Sequence, residues 1–220
     1  QRQMCIRDRV SAYGIDQAVL RAESLLDQFA PAIIIVAFIS DDINRTEFHH
    51  YPWGMGNKPY FTHTNGELQL HNTPVPRRES QNNQATLLLR KALKKSILAD
   101  KILYKFAFNW WRQVPEDIKA HDQGEKVSAE LIMRLSERAE RLGARVLAVA
   151  LTTNGRIGDN TRIPALLELL SDGGVDFLDL VEQSKDLDET TFMNSFERYG
   201  HYTPEMNSWV AQQIAAHLGY

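Results

Sequence analysis

The sequence predicts a three-layer α/β domain built on a parallel sheet, and three observations carry that prediction. Two runs read as buried strands: residues 32–39, β-branched and apolar on both faces as a strand covered by helices must be, and residues 145–151. Stretches with helical periodicity alternate with these runs along the chain. The first run stops abruptly at Ser40-Asp41-Asp42, which places polar groups at the carboxyl end of a strand, where open α/β sheets bind ligands.

Taken in order, residues 1–9 (Gln-Arg-Gln-Met-Cys-Ile-Arg-Asp-Arg) have neither helical nor strand periodicity. They read as a non-native leader of translated adapter sequence or as a disordered native terminus, and both readings remove Cys5 and Arg7 from any site. Residues 16–29 form an amphipathic helix whose stripe is Val19, Ala22, Leu25, Leu26 and Phe29, with Asp16 in the first turn and Pro31 beyond its end. The central strand 32–39 follows. Residues 43–79 then lose periodicity and contain Pro52, Pro59, Pro74 and Pro76, with one hairpin expected around Asn65-Gly66. A loop of that length reads as a lid or binding wall over the strand end.

Residues 83–111 are predicted as one helix and 126–142 as another, with Gly143 as a C-cap signal. A second strand spans 145–151, a loop over the same sheet edge 152–160, a short helix 164–170 and a third strand 175–180. The last helix starts at Thr203 or Pro204 and carries Val210, Ile214 and Leu218. The expected organisation is a leader at 1–9 and a single domain at 10–220 with an inserted loop at 43–79. Three strands are fewer than the about five usual in such sheets, so material before Val10 is expected to be missing.

Bulk properties narrow the function. The chain has 220 residues, 43% hydrophobic and 24% charged, with a net charge of -3, so no global field recruits nucleic acid. The single cysteine, Cys5, excludes an internal disulfide framework and a cysteine-rich zinc module. No apolar run reaches membrane-spanning length.

The chemistry-bearing residues cluster at two places. His201 follows Gly200 on a short loop anchored by the final helix, which holds an imidazole rigidly while leaving it open to solvent, as a general base requires; an ordinary surface histidine is the simpler alternative. Asp41 and Asp42 end the first strand at what should be the same sheet edge; Asp41 can equally cap the segment that follows.

These pieces together resemble the SGNH (GDSL-like) esterase superfamily. Tyr13-Gly14-Ile15-Asp16-Gln17 is similar to the family's second block, residues 34–42 (Ile-Ile-Val-Ala-Phe-Ile-Ser-Asp-Asp) to the third, and Gly200-His201 with the helix through Asn207 and Val210-Ala211 to the fifth. The resemblance implies a flavodoxin-like αβα fold and ester hydrolysis, with His201 as catalytic base and Gly14 donating to an oxyanion hole. Four positions depart from the pattern. No Gly-Asp-Ser nucleophile block occurs, Ile39 stands for the glycine of the third block, and Asp41 stands for its asparagine. The acid usually three residues before the histidine is Arg198, leaving Glu197 as the nearest carboxylate to orient it. An anionic Asp41 would repel a developing oxyanion. The nucleophile is therefore expected upstream of Val10, with Ser11, Ser40, Ser195 and Ser208 as lesser candidates.

An acetylated glycan, a lipid ester and a small acyl ester all fit the expected cleft, with no cofactor and no metal assigned to the site. A glycan-binding protein of the same fold would use Tyr51, Trp53, Tyr60, Phe61, Trp110 and Trp111 as stacking platforms. A metal-dependent hydrolase would use Asp41 and Asp42 with His49, His50, His63 or His71. Residues 90–111 mix lysines with large apolar side chains, a composition that fits either a membrane-surface helix or, more simply, a helix packed on one side and solvated on the other. Localisation and oligomeric state are open in the sequence.

Overall fold

The computed structural model describes residues 12–53, 56–76, 84–112, 114–155, 159–198 and 200–220. The predicted leader, Ser11, Gly54 and the end of the predicted loop at 77–79 lie outside the described residues. The elements in chain order are α1 (Ile15–Phe29), β1 (Ile33–Phe38), α2 (Ser40–Thr46), β2 (Tyr60–Thr64) and β3 (Glu67–His71). There follow α3 (Gln84–Leu93), α4 (Ile97–Phe106), α5 (Phe108–Arg112), α6 (Gly124–Arg141) and β4 (Arg145–Ala150). The chain closes with α7 (Ile163–Asp172), β5 (Phe177–Asp179), α8 (Leu180–Gln183), a 3-10 turn at Ser184–Asp186, α9 (Glu189–Asn194) and α10 (Pro204–Leu218).

Cα packing divides the chain into two compact units, one of Gln1–Thr46 with Gly124–Tyr220 and one of Glu47–Gln123. In the first, β1, β4 and β5 form a parallel sheet in the order β1-β4-β5. Pleat alternation sorts the β4 side chains between its two faces. Leu147 and Val149 join Leu178 and Leu180 in a core covered by Trp209, Val210, Ile214 and Leu218 of α10. Val146, Ala148 and Ala150 point to the opposite face and are buried. Helix α6 packs on β4 and α1, with Val127, Leu131, Ile132, Leu135 and Ala139 fully buried. This stripe at helical spacing dominates the core of the unit.

β1 departs from the prediction of a central strand covered on both sides. In register with β4, Ile33, Ile35 and Ala37 share the face of Leu147 and Val149. Ile35 is nevertheless 45% exposed, while Val36 and Phe38 on the other face are buried. Among the described residues no strand pairs with the outer edge of β1. The apolar run is real, but among the described residues its Ile35 face is left partly uncovered.

The second unit contains the predicted hairpin. β2 and β3 pair antiparallel, with Asn65 and Gly66 both at positive φ (54° and 87°) in the two-residue turn. Its helical part is not the single helix expected from 83–111. The break falls at Lys94-Lys95-Ser96, where the Ser96 hydroxyl accepts from Ala99 N–H at 3.2 Å and so starts α4 as a new helix. Trp111 of α5 is buried, and its indole N–H donates to Asp100 at 2.8 Å, tying α5 to α4.

Candidate functional site

The sequence places a loop after β1, but the structure begins α2 there. Asp42 sits at the third helical position, where its carboxylate accepts from Ile39 N–H at 3.0 Å while its own N–H donates to the Ile39 carbonyl at 3.0 Å. The Asp42 carboxylate thus supplies the N3 half of a capping box, with a main-chain carbonyl in place of the N-cap side chain, so the capping expected of Asp41 is performed by Asp42. One turn along α2, Arg45 pairs with both carboxylates, donating to Asp41 and to Asp42 Oδ1 at 2.7 Å. Burial pushes the Asp42 carboxyl up from 3.8 to about 6, although the Ile39 N–H and the Arg45 guanidinium pull it down. Asp41 and Asp42 are thus not a bare double negative charge at the edge.

Arg45 also reaches the Tyr13 carbonyl at 3.4 Å, which joins the Tyr13-Gly14 segment to the end of β1. Gly14 is buried in close contact with α2: a Cβ there would lie 2.9 Å from Thr46 N and 3.0 Å from the Arg45 carbonyl carbon. The glycine is required by this approach of two backbones. Gly14, Asp41 and Asp42 are therefore brought together, with Arg45 as the common partner.

His201 is held by a tight turn. Glu197 N–H donates to the His201 carbonyl at 2.7 Å, Gly200 N–H donates to the Glu197 carbonyl at 2.9 Å, and Gly200 takes φ +82°. Tyr202 fixes the turn from below: its ring meets Phe196 edge-on at 5.5 Å and its hydroxyl donates to the Thr152 carbonyl at 2.6 Å. Burial raises the Tyr202 phenol, which stays a neutral donor. Thr152 lies just beyond β4, and its neighbour Leu151 donates N–H to the Phe38 carbonyl at the end of β1 at 2.8 Å. The turn is thereby pinned to the carboxyl edge of the parallel sheet, while the His201 ring is exposed and has no hydrogen-bond partner among the described residues. Glu197 holds His201 through the main chain; its carboxylate makes no hydrogen bond to the ring among the described residues.

None of the described candidate serines is presented as a nucleophile. Ser195 donates to the Thr191 carbonyl at 2.7 Å and Ser208 to the Pro204 carbonyl at 3.0 Å, so both hydroxyls are spent on their own helical turns. Ser40 is buried at the start of α2.

The sequence reading missed Arg45 and a second cluster beside it. Arg162, at the N-terminus of α7, donates to Glu125 Oε1 at 2.5 Å and to Asn44 Oδ1 at 2.6 Å, linking α7, α6 and α2. The signal for Arg45 was its i+3 and i+4 spacing from Asp42 and Asp41. The partners of Arg162 are distant in sequence and gave no signal.

The alternative sites find other uses for their residues. His71 Nε2 lies 2.8 Å from the Thr62 hydroxyl, His50 Nδ1 lies 2.8 Å from the Tyr51 carbonyl, and Tyr60 stacks on His71 at 4.9 Å. Among the described residues no group of three or more histidine, cysteine or acidic side chains is arranged to hold a metal ion. Phe61 and Trp111 are buried and serve packing, while the partly exposed Trp110 lies under the Arg90 guanidinium at 4.5 Å. In comparison with known proteins, no family model, no curated protein and no solved structure matches the chain.

Proposed function

We propose that this chain supplies the base side of an ester-hydrolase site, with His201 accepting the proton of a nucleophile outside the described residues. Acyl or acetyl esters, including those on glycans, are the substrate class. The observation that carries the reading is an exposed imidazole on a turn that main-chain bonds and the Tyr202 hydroxyl pin to the carboxyl edge of a parallel sheet. In the reaction the nucleophile hydroxyl attacks the ester carbonyl while His201 takes its proton; the imidazolium then protonates the departing alcohol, and water repeats the sequence on the acyl intermediate. Arg45 neutralises part of the charge of Asp41 and Asp42, which lowers the repulsion such an edge exerts on an oxyanion. Among the described residues the outer edge of β1 is unpaired, which leaves room beside it for a further strand from which a nucleophile would face this edge.

The test is a titration with a short alkylphosphonate, whose tetrahedral anionic centre imitates the acyl-transfer intermediate, followed by NMR of the histidine rings. A saturable shift of the His201 signals is expected, with His217, which contacts Asp176 at 2.8 Å, serving as the unmoved reference. No shift at His201, or equal shifts at both rings, removes the support for a site there.

A further inference from the structure

We propose that the surface formed by α3–α5 docks on anionic phospholipid bilayers. The proposal is independent of ester hydrolysis. An ordinary surface helix buries one apolar stripe, yet α4 has no buried residue. Its packed side is limited to the half-buried Ala99 and Leu103, together with Asp100, which holds Trp111. The neighbouring face carries Leu98, Ile102 and Phe106 at i, i+4 and i+8, with Leu98 69% and Phe106 76% exposed. Ile97 is 78% exposed at the start of the same helix, and Leu88 and Leu89 of α3 are also exposed. An exposed apolar surface of this kind is normally covered by something.

Charge identifies what covers it. Seven lysine and arginine side chains lie between Gln84 and Arg112 against a single carboxylate, Asp100, whereas the whole chain carries a net charge of -3. Lys101 and Lys105 flank the α4 stripe, and Lys91, Lys94 and Lys95 are exposed around the α3–α4 break. Among the described residues no ion pair holds any of these five lysines. Lys94 and Lys105 instead lie over the rings of Trp111 and Phe106, at 5.8 and 5.4 Å. Exposed apolar side chains bordered by unneutralised lysines match an interface with acyl chains below and anionic headgroups around them. No helix among the described residues is long and apolar enough to cross a membrane, so the contact is peripheral.

The test is co-sedimentation of the full chain with vesicles of equimolar phosphatidylglycerol and phosphatidylcholine, compared with pure phosphatidylcholine. Binding to the first and not the second is expected, weakening as salt is raised. Lys101→Gln and Lys105→Gln together should reduce it about 25-fold, at roughly five-fold for each charge near the surface. Phe106→Ser should reduce it about ten-fold without altering the circular dichroism, because the ring is exposed. Lys185→Gln, at an ion pair with Glu182 outside this surface, should leave it unchanged. The proposal is overturned by equal binding to neutral vesicles, by no binding to anionic ones, or by retained affinity in the α4 variants. It is equally overturned by a concentration-dependent dimer that Phe106→Ser disperses, which would make a second copy of the chain the occupant.

Discussion

Asp42 should make the protein less stable as the solution approaches neutrality, and the size of that effect follows from its surroundings. Its carboxyl is raised from 3.8 to about 6 mainly by burial, so the folded chain holds the proton more tightly than the unfolded chain does. The resulting stabilisation is complete below pH 3.8 and is lost as the pH rises through about 6. The whole shift corresponds to about 3 kcal/mol, of which about 2 kcal/mol is lost between roughly pH 4.5 and 7. Asp42→Asn removes the titration. The amide also weakens the Arg45 contact, but that constant cost cancels when one variant is compared with itself across pH. Urea unfolding of parent and variant at the two pH values isolates the term, since the other titrating groups are common to both. The parent should lose about 2 kcal/mol more than Asp42→Asn on going to the higher pH. Identical pH slopes, or a parent that gains stability relative to the variant, would refute the argument that desolvation dominates at this carboxyl.

Two further substitutions test how the edge is assembled. Gly14→Ala would put a methyl within 3.0 Å of the α2 backbone and 2.7 Å from Asp16 Oδ1, and should destabilise by about 1–3 kcal/mol in thermal or urea unfolding; a neutral result would show that the two segments are not in contact. Tyr202→Phe keeps the packing on Phe196 but leaves the Thr152 carbonyl without its donor, and should cost about 1 kcal/mol with faster amide exchange in the His201 turn. Unchanged exchange there would mean that the hydroxyl does not hold the turn.

The legible parts of the fold were those written in local periodicity. The apolar runs of β1 and β4, the stripes of α1 and α6, and the Asn65-Gly66 turn each declare themselves within a dozen residues or so. Ser96 also carries a local signal, an N-cap residue inside a helical stretch, but the continuous leucine and lysine pattern on either side masked it. The start of α2 was masked in a similar way. Ser40-Asp41-Asp42 reads as the polar end of a strand, although acids in a first turn and Arg45 one turn later are equally helix signals.

What the sequence left unwritten depended on long-range placement. That Ile35 of β1 faces outward while Leu147 beside it is buried depends on which helices cover which strand. The Arg162 link to Glu125 and Asn44 joins three elements far apart in the chain. At the candidate site, the rigid turn around His201 was legible from Gly200 and the proline-led helix. The carboxylate expected to orient the imidazole was not: Glu197 contributes its backbone N–H, and Tyr202 supplies the anchor.

The most direct test of His201 as a general base is the rate of p-nitrophenyl acetate hydrolysis by the parent chain and by His201→Ala. A positioned histidine acting as general base toward water contributes on the order of 10²- to 10⁴-fold. The account predicts slow turnover by the parent that falls to the buffer rate in His201→Ala. Equal rates in the two proteins, whether measurable or at the buffer level, would contradict it.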